Sequence, residues 1–194
     1  NIGAGGGGGL NQTGAGTFGS TKGANNGGSA VQSDDTIDAA YAGAFAHGQA
    51  TNSSTGYSVI QANALGSTAF GMATSATAYN AYITAGSSGS FATGYSKPDY
   101  SNNATITTST GLGAFAGGYA YGGTIQSTLA GSFAFGYAVG GNSISANGAG
   151  SVAFGSADSA DITAGDEGSF VFDHAYGGEI YTSYTPYQAE ASQG

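Results

Sequence analysis

Small, apolar and glycine positions alternate in short bursts along this chain, and the bursts recur. The segment Gly150-Ser151-Val152-Ala153-Phe154-Gly155 reads as Gly, small, variable, small, apolar or small, Gly. Further copies open at Gly14, Gly43, Gly66, Gly89, Gly113, Gly131 and Gly168. Successive opening glycines lie 29, 23, 23, 24, 18, 19 and 18 residues apart, which is the signature of a stacked repeat. An isoleucine between copies tests that reading independently. From Ile37, Ile60, Ile83, Ile125, Ile144 and Ile162 to the small residue after the next opening glycine is seven positions, and from Ile106 it is eight. The other connection varies: 16 residues from Ala44, Ser67 and Ser90 to the next isoleucine, but 11 or 12 from Ala114, Ser132, Ser151 and Ser169. The pattern predicts an all-β fold, a parallel β-solenoid or β-roll of about eight coils of 18–24 residues with two short strands per coil. Each coil has one fixed corner and one adjustable loop, and because loop insertion costs little entropy, unequal coils can share one stack.

The repeat spans residues 15–180. Residues 1–14, with the run Gly5 to Gly9, are expected to be a cap or joining segment, since an ordered pentaglycine requires something packed over it. Residues 181–194 read as a C-terminal cap or exit, where Pro186 cannot donate to a ladder. Val31 and Ile37 compete for the second strand of the first coil, and the constant corner selects Ile37.

Strand alternation then assigns faces. In the first strand of each coil, Phe45/His47, Thr68/Phe70, Phe91/Thr93, Phe115/Gly117, Phe133/Phe135, Val152/Phe154 and Phe170/Phe172 point one way. Their bulk predicts a core ladder of Phe70, Phe91, Phe115, Phe135, Phe154 and Phe172 against Ile60, Ile83, Ile106, Ile125, Ile144 and Ile162, with His47 inside the roll. The other side carries Ala46, Ala69, Ala92, Ala116, Ala134, Ala153 and Val171. Such a bare flank suits close approach of another backbone, so it is the expected self-association face. Gln61, Thr84, Thr107, Gln126, Ser145, Thr163 and Tyr181, outward on the second strand, read as solvent surface. Each opening glycine is expected at positive φ, at a corner where a Cβ would clash. At roughly 4.8 Å per stacked strand, the coils make a rod of about 40 Å.

Composition narrows the setting. Of 194 residues, 38 are Gly and only 7% are charged; there is no Cys, and Lys22 and Lys97 are the whole basic complement against a net charge of -9. Glycine without a Gly-X-Y triplet excludes collagen. Duplex nucleic acid and anionic membranes need clustered Lys or Arg, and no apolar run approaches a membrane span. Neither is therefore an expected partner. Scarce lysine with abundant Ser, Thr, Asn and Tyr places the chain outside a cell or on a virion surface.

The segments Ser132-Phe-Ala-Phe-Gly, Ser151-Val-Ala-Phe-Gly, Ser67-Thr-Ala-Phe-Gly and Ser169-Phe-Val-Phe resemble the head repeat of trimeric autotransporter adhesins of the YadA type, which also occurs in phage fibres. That resemblance implies a left-handed parallel β-roll, three chains side by side, and a surface-attachment role. The coils here are longer than that family's usual ones, and Asp173 stands where the motif has its closing glycine.

Chemistry has few footholds. Asp161 and Glu179 each precede a strand isoleucine, so stacking sets like charges opposite one another. A calcium ion would relieve that, but no calcium-binding nonapeptide is present, and the expectation is an acidic, solvated end with no cofactor. Asp158/Asp161 and Asp173/His174 have no basic neighbour to hold an acidic sugar; no nucleophile elbow, phosphate loop or zinc-spaced histidines occur, and no enzyme is expected. Thr84, Thr105 and Thr107 form fragments of an ice- or polysaccharide-binding array. Tyr121, Tyr176, Tyr181, Tyr184 and Tyr187 are candidate contacts to a ligand or another subunit. The expected function is an extracellular, non-enzymatic adhesin or structural solenoid that binds copies of itself, as a trimer or an end-to-end filament, and a host-surface protein or glycan.

Overall fold

A computed structural model describes residues 16–22, 35–53, 55–76, 78–175 and 180–182. The pentaglycine run, Val31, Tyr176, Glu179, Tyr184, Pro186 and Tyr187 lie outside them. In chain order the strands are β1 (Gly16–Lys22), β2 (Thr36–Ala39), β3 (Phe45–Asn52), β4 (Ser58–Ala62), β5 (Thr68–Ser75) and β6 (Ala81–Ala85). They continue with β7 (Phe91–Lys97), β8 (Ala104–Thr108), β9 (Phe115–Tyr121), β10 (Thr124–Ser127) and β11 (Phe133–Val139). The last are β12 (Ser143–Ala146), β13 (Val152–Ala157), β14 (Ile162–Ala164), β15 (Phe170–Ala175) and β16 (Ile180–Thr182). Odd-numbered strands form one eight-stranded sheet and even-numbered strands another, each in sequence order. All the strand pairs are parallel, with like residues in register: Ala134 beside Ala116 and Ala153, Ile125 beside Ile106 and Ile144. This is the β-solenoid of two strands per coil that the repeat predicts. Ile37 pairs with Ile60, which settles the first coil in its favour, and β16 carries the ladder two residues past the expected boundary at Ile180.

The faces of the first sheet are the reverse of the expected ones. Ala46, Ala69, Ala92, Ala116, Ala134 and Ala153 are fully buried and form the core with Ile60, Ile83, Ile106, Ile125, Ile144 and Ile162. The isoleucine half of the predicted core ladder is therefore inside, whereas Phe70, Phe91, Phe115, Phe135, Phe154 and Phe172 are on the outside, partly or largely exposed. His47 is outside with them. The reason is the thinness of the roll. An ideal Cβ on Gly48 or Gly136 would stand 2.9 Å from the Cδ1 of Ile60 or Ile144, so one isoleucine per coil fills the space between the sheets. Opposite it the inward positions are nearly all alanine or glycine, with Ser96 and, on the last strand, Val171 as small exceptions, and a phenylalanine ring has no room. The outward side of the second sheet agrees with expectation at Gln61, Thr84, Thr107, Gln126 and Thr163, which are part-exposed, and departs from it at Ser145, which is buried.

Two glycine columns do different work. The opening glycines from Gly43 to Gly168 have φ of 62–68°, as expected at the fixed corner. Except at Gly43, whose ideal Cβ makes ordinary contact with Gly66, nothing lies within 4 Å of that atom, so left-handed backbone, not crowding, selects glycine there. The crowded column is the second one, in mid-strand. Serine completes the corner: the Ser67, Ser90, Ser132, Ser151 and Ser169 hydroxyls donate to the carbonyl three residues back at 2.5–2.7 Å. The same carbonyls accept the backbone N–H of that serine, so each turn is closed twice.

Candidate interaction face

With the interior closed by alanine, bulky side chains are left on the outward face of the first sheet, where the pleat sorts most of them into three columns, beside a shorter marginal one that holds Lys97, Tyr121 and Val139. The first runs Phe45, Thr68, Phe91, Phe115, Phe133, Val152, Phe170; the second His47, Phe70, Thr93, Gly117, Phe135, Phe154, Phe172. The third runs Gln49, Met72, Tyr95, Tyr119, Tyr137, Ser156, His174. Because the strands are parallel and in register, rings lie on rings. Phe91, Phe115 and Phe133 stack with centroids 5.6 and 4.5 Å apart, and Phe135, Phe154 and Phe172 with 5.5 and 4.8 Å, with rings within 16° of parallel. His47 stacks on Phe70 at 5.1 Å. At the gap left by Gly117, an added Cβ would meet Phe115, Phe135 and Thr93 side chains at 3.0–3.1 Å, so neighbours have closed over it.

Within the ladders ring faces are thus covered by other rings and ring edges point to solvent. Even so, Phe70 is 46% exposed, Tyr137 40%, Phe170 63% and Phe172 67%. No acid stands in the three columns; Lys97, at the margin, has its ammonium 5.4 Å from the ring centroid of Tyr121. Comparison of the chain with protein-family models, curated proteins and solved structures finds no match. The chemistry of the face is therefore read from its own geometry.

Tyr121 is the one candidate tyrosine contact whose side chain is described; it flanks Tyr119 at 6.5 Å. Tyr181 lies in β16, but its side chain is outside the described part, as are Tyr176, Tyr184 and Tyr187. At the acidic position where calcium was weighed, Asp161 Oδ1 accepts the Ser143 N–H at 2.6 Å and the Ser143 hydroxyl at 3.0 Å, while Glu179 is not described. Asp161 thus pins one coil to the next. Among the described residues no three His, Asp or Glu side chains gather as a metal site would require.

The tyrosine column has a measurable signature. Burial pushes the Tyr119 phenol above its ordinary value, and charge on Tyr95, Tyr137 and Tyr121 would push it the same way. A phenol raised in the folded state holds its proton longer than in the unfolded chain. Tyr119 therefore leaves stability untouched below about pH 10 and erodes it as pH climbs from there. A near-ultraviolet phenolate titration of Tyr119→Phe should lose a late-titrating phenol, and that variant should keep more of its stability above about pH 10 than the parent. An unchanged late phase would show that the column does not shift Tyr119.

Proposed function

We propose that this chain is a non-enzymatic, extracellular solenoid, an adhesive or structural surface element that assembles with copies of itself through the aromatic face of the first sheet. The observation that carries this reading is the run of edge-exposed aromatic columns along a sheet face that no other described residue covers. An exposed apolar patch of this extent marks an interaction site. A second copy is the partner that fits. Eight strands at about 4.8 Å, with outward columns and rings covering roughly 15–20 Å across, offer on the order of 600 Å² per copy. The total, about 1,200 Å², is at the lower end of specific interfaces. A chain of net charge -9 also meets no opposing carboxylates here. Ring edges interdigitate with another sheet, as in face-to-face sheet packing. The resemblance to YadA-type heads adds an expectation of three chains side by side.

Polysaccharide binding by stacking makes a different demand, since it needs open ring faces, and here most are taken up within the ladders. Solution mass decides between the readings. Discrete oligomers that fall to monomers in a Phe133→Glu/Phe135→Glu double variant, with the circular dichroism unchanged, are the expected result. A parent chain that stays monomeric at tens of micromolar, or an oligomer that survives both changes, overturns it. An open length distribution favours an end-to-end filament or tail fibre instead.

A further inference from the structure

One residue breaks the mid-strand column. In the first sheet, Gly19, Gly48, Gly71, Gly94, Gly118, Gly136 and Gly155 stand in one register, and the eighth member is Asp173. Each of those glycines has another strand stacked beyond it. At each of the six from Gly48 to Gly155, an ideal Cβ would lie closer than 3.0 Å to the carbonyl oxygen of its partner on the following strand. The obstacle is backbone held in a ladder, so it cannot swing aside as a side chain would. A residue with a Cβ is compatible with this register only on a strand that no further strand follows. Among the described residues β15 is that strand.

A second observation concerns the hydrogen bonds of that edge. Phe45 N–H donates to the Ser67 carbonyl and Val152 N–H to the Ser169 carbonyl, each on the following coil, at 2.9 and 2.8 Å. The pleat repeats this direction at every second residue, so in β15 the N–H groups of Phe170, Phe172 and His174 turn away from β13, to the side on which no described strand lies. Asp173 Oδ1 accepts the His174 N–H at 2.6 Å. The side chain that blocks the approach of another strand also occupies a donor that strand would need. Protecting a sheet edge with an inward-pointing charge is a known way to prevent edge-to-edge pairing.

We propose that Asp173 is the stop of the first sheet, closing its edge to any further parallel strand, whether another coil or the β1 edge of a second copy. At an end-to-end junction Asp173 would meet the backbone of β1, where Gly19 holds the equivalent register. Growth along the rod is thereby barred, and sideways contact is the direction left for assembly. This inference depends on the ladder geometry alone and not on what the aromatic face binds.

The test adds a coil. A second copy of residues 158–175 is inserted directly after Ala175, so that a new strand must stack on β15, and the insertion is made with Asp173 in place and with Asp173→Gly or Asp173→Ala at the original position. Asp173→Gly is expected to raise the Tm of the extended protein by about 5 °C or more. Asp173→Ala, which keeps the Cβ, is expected to give little of that gain. Equal Tm values for the aspartate and glycine forms, or full rescue by alanine, overturn the proposal. Should no extended protein fold, the natural-length chain and its Asp173→Gly variant are compared by electron microscopy. Rods one solenoid long for the parent and end-joined rods for the variant support the stop, and the same length distribution in both overturns it.

Discussion

Gly136→Ala is expected to lower the Tm by about 10 °C or more, or to prevent folding altogether. Gly136 has φ of 150°, a conformation essentially reserved for glycine. The added methyl would lie closer than 3.0 Å to the Gly155 carbonyl and 2.9 Å from Ile144 Cδ1. Strands β9 and β13 ladder to β11 from both sides, so relief requires breaking inter-coil hydrogen bonds. Backbone strain and overpacking together amount to about 4 kcal/mol or more. Gly131→Ala provides the comparison. Its φ is 65°, with nothing within 4 Å of the ideal Cβ, so only the left-handed penalty of about 1–2 kcal/mol applies. Calorimetric melts of the two variants should differ severalfold in their Tm shift, and similar shifts would mean that the mid-strand column is not close-packed.

Ala134→Glu is expected to unfold the chain, whereas Phe133→Glu, one residue earlier, should leave a folded coil. Ala134 is fully buried between Ala116 and Ala153 of the flanking strands. A carboxylate there has no cation among the described interior residues. A buried, unpaired charge costs several kcal/mol, more than most single substitutions. Phe133 points outward and is only partly buried, so its replacement costs about 1–2 kcal/mol of ring stacking and burial. Urea unfolding followed by circular dichroism ranks the two. The opposite ranking would restore bulky residues to the interior and alanine to the surface.

That inversion shows where sequence and structure part. The coils, their register, the fixed corner and the choice of Ile37 were all legible, because each depends on spacing, and parallel stacking converts spacing directly into neighbours. The like-on-like stacking of Phe135 on Phe154 was legible too, and their centroids are 5.5 Å apart. Yet both rings lie on the side away from buried Ile144. Bulk was the wrong guide to inside and outside, because it assumes a gap between sheets wide enough for a ring. Uniformity was the better signal. The inward column is alanine at positions 46, 69, 92, 116, 134 and 153 and departs from it only on the two end strands, at Thr17 and Val171, while the column from Phe45 to Phe170 admits Thr and Val in mid-stack, and the one from His47 to Phe172 admits Thr and Gly. A confined space tolerates little variation between its end coils, and an open face tolerates more. The candidate face was missed for that reason: its first two columns were assigned to the interior, and the column from Gln49 through Tyr119 to His174 was not picked out. The mid-strand glycines were visible in the repeat, but their crowding was not, since it arises from the following coil's carbonyl.

The alanine interior has a thermal consequence. One isoleucine per coil between small neighbours withdraws little hydrocarbon from water for each residue ordered, while the two ladders tie up backbone along the whole rod. The heat-capacity change on unfolding follows newly wetted apolar area, typically about 12–15 cal/mol/K per residue, and calorimetry of this roll is expected to give a value below that range. Its free energy of unfolding therefore bends only gently with temperature. Resistance to cold is as much a property of the buried methyl column as resistance to heat.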